Sequence, residues 1–200
     1  MTADSACVNL THHFLIAMPG LEDGIFSRSV IYLCEHNARG AMGLIINKPA
    51  DLQMSGLFEK VDLPLHRQDL LQAPVLLGGP VQTERGFVLH DPIQMPEPAQ
   101  DGASVYASTL TVDGGLEMTT SHDVLEALSS GAGPRRVLIT LGYSALGEGQ
   151  LESEISENAW LTVPANPEIV FETPLEQRYE RALDLLGLKS WMLSPEAGHA

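Results

Sequence analysis

The stretch SVIYLCEHNARGAMGLIIN, Ser29 to Asn47, decides how this chain folds. Residues 29–34 and 41–47 are two runs rich in Ile, Val, Leu and Tyr, separated by the polar stretch EHNARG. Branched and aromatic side chains suit a pleated surface, and a polar stretch ending in glycine lets the chain reverse. The reading is an antiparallel hairpin with a longer loop, in which Cys34 ends the first strand.

Working outward, HFLIAMP (13–19) is a short apolar run closed by Pro19 and Gly20 and reads as a buried strand. Downstream of the hairpin come a short helix near 52–60 and two strands, APVLLGGPV and RGFVLH, around a Gly-Gly-Pro corner. A Pro-rich exposed loop at 92–104 precedes SVYASTLTV, which alternates as a strand and ends on the turn DGG. Ser121 is placed to cap a helix carrying Val124, Leu125 and Leu128. RRVLITLGYS is a buried strand leading into ALGEGQLESEISENAWL, where Leu151 and Ile155 share one helical face. EIVFET (168–173) reads as a last strand. Pro174 then opens a helix with an apolar stripe through Tyr179, Leu183 and Leu186, capped by Gly187. Strands outnumber helices, and neighbouring strands are joined by short turns. The fold class is α+β, a single domain over residues 1–200 built on a largely antiparallel sheet, with ends fraying near 1–10 and 190–200.

Composition narrows function. The 26 Asp and Glu against 11 Lys and Arg give a formal charge of -15. Such a field repels phosphate backbones, so direct nucleic-acid binding is disfavoured; the concentrated cations are Arg135 and Arg136, ahead of a buried strand. Two cysteines, Cys7 and Cys34, make no disulfide framework, and a reducing cytoplasmic location is expected. The N-terminus lacks a basic, apolar signal sequence, and no apolar run approaches the roughly 20 residues of a membrane span.

The triplet Cys34-Glu35-His36 invites a reactive-site reading. On an extended strand Cys34 and His36 would share a face, and His36 or Lys48 could lower the thiol pKa. Glu35 and the acidic surroundings act against this, and a buried cysteine is the simpler solution. A metal site lacks ligands in sequence: Cys34, His36, His90 and His122 are scattered, with no CxxC or HExxH, so no metal or other cofactor is expected. GYSALG resembles a nucleophile elbow, but the second glycine stands one residue too far on, and the single His beyond Ser144 is His199. Ser144 reads instead as a turn or helix-capping residue. LLGGPV is neither a phosphate loop nor a dinucleotide fingerprint.

Three blocks, FLIAMPGLEDGIFSRSVIYLCEHNARGAMGLIINKP, VLLGGPVQTERGFVLH and ITLGYSALGEGQLESEISENAWL, occur in this order between Phe14 and Leu161. Together they resemble the YqgE/AlgH family of bacterial proteins, catalogued as uncharacterised or as transcriptional regulators. The resemblance implies a compact α+β domain with a coiled, barrel-like β core and a few flanking helices. It implies no established enzyme activity, cofactor or DNA-binding element. The matched positions include Cys34, His36, Lys48, Gly78, Gly79, Arg85, His90, Gly142, Ser144 and Gln150, whereas Ala145-Leu146 stand where the family pattern usually has Gly-Trp. The expected function is a non-enzymatic binding or regulatory module with a protein or small-molecule partner, acting on transcription indirectly if at all. The alternative is a redox-sensing or nucleophilic thiol at Cys34. Cys34, His36, Lys48, Arg85, His90 and Ser144 are the candidate functional residues.

Overall fold

The hairpin forms, with a shorter connection. In this computed structural model, which describes residues 8–92 and 106–193, β2 (Val30–Asn37) and β3 (Gly40–Ile45) pair antiparallel from Ile31↔Ile45 to Asn37↔Gly40. Residues expected in the loop, Glu35 to Asn37, belong to the strand, so Cys34 lies within β2 rather than at its end. The register shifts between Leu33 and Glu35. A bulge of this kind resets the alternation of side chains. Tyr32 and Cys34 enter one apolar cluster and Ile31 and Leu33 another, yet His36 binds Leu10 and Glu152 on the side of the second. Cys34 and His36 therefore face opposite ways, against the expectation of a shared face.

The hairpin sits inside one sheet. β1 (His13–Ala17) pairs with β2 and with β10 (Trp160–Pro164), and β3 pairs with β9 (Val137–Leu146). Beyond β9 come β6 (Val81–His90), β8 (Leu116–Thr119) and β7 (Thr109–Val112), all antiparallel to their neighbours. The order is β10-β1-β2-β3-β9-β6-β8-β7, curled into a half-barrel. A side pair, β4 (Pro49–Gln53) and β5 (Pro74–Leu77), joins through β5, which runs parallel to β9.

Helices close both faces. α4 (Pro167–Phe171) and α5 (Arg178–Asp184) bring Val170, Tyr179 and Leu183 against Phe14, Tyr32, Leu44 and Leu89. α3 (Gln150–Ser156) lays Leu151 on Ile31, Leu33 and Ile45 on the opposite face. α1 (Met54–Lys60) and α2 (Asp123–Ser129) pack Phe58 and Leu128 with Val88 and Ile139.

Several elements differ from the sequence reading. Residues 168–171 are helix, not strand, because the Asn166 side chain accepts from the Glu168 amide and Pro167 opens the first turn. The final strand lies earlier, at 160–164, in what was expected to be a helix end; Trp160 and Val163 turn inward from it. β4 and β8 have no counterpart in that reading. Ser121 is not the cap of α2, which His122 precedes; its hydroxyl bonds the Ala107 carbonyl and Asp123. Ser144 is neither turn nor cap, since β9 continues through it to Leu146. The Pro-rich loop falls almost wholly outside the described residues, as does Cys7.

The Gly-Gly-Pro corner binds the sheet together. The Gly78 carbonyl accepts from the Ile45 amide (2.9 Å) and from the Ser144 hydroxyl (3.0 Å), and the Gly78 amide donates to the Leu141 carbonyl (2.8 Å). The approach excludes side chains: a Cβ on Gly78 would lie 2.4 Å from the Gly142 carbonyl oxygen, and one on Gly79 2.1 Å from the Tyr143 carbonyl carbon. Gly142 also has φ +74, where β9 bends past the corner.

Gly142→Ala and Gly149→Ala separate these effects. Both positions have left-handed backbone, φ +74 and +69, which costs an alanine about 1–2 kcal/mol. Only at Gly142 would the new Cβ also meet a carbonyl oxygen, that of Gly79, at 2.5 Å, whereas Gly149 is open. Gly142→Ala is expected to cost about 3 kcal/mol or more. Equal shifts of the two variants in circular-dichroism melts would contradict this account of the junction.

Candidate functional site

The six residues singled out from sequence do not converge. Cys34 is 2% exposed and faces the core. Burial, with Glu35 adding repulsion, pushes its thiol well above the ordinary range. His36 is equally enclosed. Its Nδ1 accepts from the Leu10 amide (3.0 Å), so Nε2 carries the proton and donates to Glu152 (2.9 Å). It ties the N-terminal segment to α3.

Lys48 donates through Nζ to the Ser27 carbonyl (2.5 Å), and burial together with Arg28 lowers its pKa. It anchors the chain leaving β3. His90, with no solvent exposure, donates from Nδ1 to the Asp91 carbonyl (2.7 Å) and meets the Thr119 hydroxyl at Nε2 (2.9 Å). Tyr106 packs edge-on to its ring. Arg85 stands exposed on β6, reaching Thr120 Oγ1 (3.2 Å) and Gln82. Ser144 is buried, with its hydroxyl spent on Gly78. Ser144 lines one cleft, Arg85 a second and His36 a third. Among the described residues, no three His, Cys, Asp or Glu side chains come together as a metal site.

The three sequence blocks do build one concavity. It measures about 340 Å³ and lies between the loop after β1, the Gly-Gly-Pro corner, the end of β9, and α3. Leu21, Phe26 and Ile31 come from the first block, Pro80 from the second, and Ser144 to Leu146, Gln150, Glu154 and Trp160 from the third. Its floor is apolar, with Phe26 edge-on to Trp160 at 6.0 Å. Its rim is acidic, carrying Asp23, Glu154 and Glu157 and no Lys or Arg.

The polar groups are ordered by one another. Glu154 accepts from Trp160 Nε1 (2.7 Å) at one oxygen and from Gln150 Nε2 (2.8 Å) at the other, while Gln150 Oε1 accepts from the Gly147 amide (2.9 Å). Gln150 and Glu154 are four apart on α3, which places them side by side. That spacing and Trp160 near the end of the third block were the available sequence signals for this site; the role of Phe26, from a loop more than a hundred residues away, had none. Leu146 and Ala145, the positions that depart from the Gly-Trp pattern, line the same wall.

The match to known proteins covers nearly the whole chain. The AlgH-like family model matches residues 14–191. A UPF0301 protein of Acidovorax sp. (strain JS42) is 70% identical over 200 residues, and one of Polaromonas sp. is 68% identical, each pair covering both chains completely. The solution structure of the AlgH protein from Pseudomonas aeruginosa superposes with a TM-score of 0.74 at 47% identity, covering 98% of each chain. A Corynebacterium diphtheriae protein at 19% identity shares the fold, with a TM-score of 0.66 over 87% of this chain and 85% of its own. On the three blocks, their convergence and these matches, the chain belongs to the AlgH-like family.

Proposed function

We propose that this protein is a non-enzymatic binding module of the cytoplasm that uses the apolar, acid-rimmed pocket beside α3 to hold a Lys or Arg side chain of a partner protein. The observation that carries this reading is the convergence of all three sequence blocks on a pocket that holds no free nucleophile. A cationic head would meet Asp23, Glu154 and Glu157, while its aliphatic stem would lie on Phe26 and Trp160. The net charge of -15 draws basic partners and repels nucleic acid, so any effect on transcription passes through a protein. No helix among the described residues is long and apolar enough to cross a membrane.

Trp160 reports on this pocket. The other tryptophan, Trp191, is 78% exposed and is removed as Trp191→Phe. In that background a blocked Arg-rich hexapeptide should change Trp160 fluorescence saturably and in a salt-sensitive manner, with Glu157→Lys weakening it several-fold. A Glu-rich peptide that worked equally well, or a silent Trp160, would rule out the assignment.

The thiol alternative finds no support in the geometry, since Cys34 lacks both solvent access and a facing cation among the described residues. In native protein Cys34 should resist iodoacetamide at pH 8–9 and react on unfolding. Its raised folded pKa means that its contribution to stability is complete below the unfolded value of about 8.5 and declines as pH rises past it. Rapid native alkylation assigned to Cys34 by peptide mapping would restore the thiol reading.

A further inference from the structure

A second cleft, of about 290 Å³, opens between β9, the 67–74 segment and the helices α4 and α5. Arg135, Arg136 and Arg178 line it over an apolar floor that includes Leu76, Leu138, Val170 and Phe171. In a chain with only 11 basic residues this is a notable concentration.

These cations are not alike. Arg136 is held bidentate by Asp91 (2.9 and 2.8 Å), with Glu172 at 3.9 Å. Arg178 is only 9% exposed. Its Nε donates to the Thr173 carbonyl (3.0 Å) and its Nη1 to the Ile46 carbonyl, and Nη2 has no partner among the described residues. Nor does a described carboxylate ion-pair with it; burial lowers its pKa to about 10, with Glu176 opposing from a distance. Arg135 is exposed, and its side chain has no partner among the described residues. Two of the three guanidinium groups thus retain donors.

Because no buried side-chain nitrogen or oxygen among the described residues is left without a hydrogen bond, the unbonded Nη2 of Arg178 is open to the cleft, and an anion that accepts from it supplies the counter-charge that this largely buried guanidinium lacks. The planar fork fits a carboxylate or a phosphate. The surroundings choose between them. Asp69 shares the cleft, already paired with Arg67 at 2.7 Å, and Glu168 and Glu172 lie close enough to act on Arg136. These charges penalise a dianion more than a monoanion, and the volume, at the lower end for ligand pockets, admits a small body. We propose that this cleft binds a small monocarboxylic acid with an apolar body, its carboxylate on Arg178 and Arg135 and its body against Val170 and Phe171. This assignment is independent of the cation pocket beside α3.

The full chain, uniformly ¹⁵N-labelled, tests it by following arginine Nε–Hε resonances during titration with benzoate, benzamide and inorganic phosphate. Benzoate should shift the Arg178 side-chain signal, assigned by its loss in Arg178→Lys, and the Val170 and Phe171 amides saturably. Benzamide should leave them unmoved and phosphate should bind more weakly. Arg178→Lys should weaken benzoate at least roughly tenfold. Because Arg178 also braces the fold, the exposed Arg135→Gln serves as the second variant and should weaken binding several-fold with an otherwise native spectrum. No saturable shift with benzoate, equal shifts with benzamide, an unchanged affinity in Arg135→Gln, or phosphate binding as tightly as benzoate would overturn the proposal.

Discussion

The carbonyl of Gly78 is the constraint on which the architecture rests. A strand has two edges, and β9 needs more: β6 occupies one along 137–143, while β3 and β5 divide the other. The division happens at Gly78, whose oxygen accepts from the end of β3 at Ile45 and from Ser144 on β9. A buried carbonyl at a sheet branch would otherwise be left unsatisfied, at a cost of about 1–3 kcal/mol. Satisfying it twice requires the backbones to approach within contact distance, so glycines occupy 78, 79 and 142. The matched pattern of the second and third blocks is, to this extent, a packing requirement rather than chemistry.

The same junction places the pocket beside α3. Pro80 follows directly from the corner, and the wall of Ser144 to Leu146 is the part of β9 released from β5 and taken up by β3. Ser144 reaches the pocket with its hydroxyl donating to the Gly78 carbonyl, so the serine of this elbow-like sequence serves the strand junction. The Gln150–Glu154–Trp160 chain then fixes α3 against β10 and orients the acidic rim. Scaffold and pocket are therefore one set of contacts.

How much of this was legible depended on the range of the interaction. Local patterns carried the hairpin, the strands around the corner, and the helix after Pro174 with its Gly187 cap, because turn chemistry and alternation act over a few residues. The exchange at 160–171 was missed because Asn166 and Pro167 set a helix start inside a β-rich apolar run, and four β-branched or apolar residues fit either periodicity. The bulge at Cys34 was invisible, since a register shift belongs to the pairing of two strands and leaves no mark on one. It separated the members of Cys-Glu-His: Cys34 lies in the core, as the simpler reading had it, Glu35 faces solvent, and His36 clamps α3. Arg178 carried the least signal of all. In sequence it is an ordinary first residue of an amphipathic helix, and its importance comes from Ile46, 132 positions away.

Charge organises the two clefts at different ranges. The overall excess of carboxylates acts at a distance, within a Debye length of about 8–10 Å in physiological salt, and favours approach of cations everywhere on the surface. The acid-rimmed pocket works with that field, so a cationic side chain bound there as proposed would gain in association rate and lose with salt. The arginine cleft works against it. An anion must first cross a repulsive surface, and can be held only by contacts formed after water is displaced, where a buried guanidinium interacts far more strongly than an exposed one. In the proposed anion site, burying Arg178 rather than adding lysines at the rim would make an acidic protein selective: long-range repulsion would exclude polyanions, and short-range hydrogen bonding would retain a ligand of single charge.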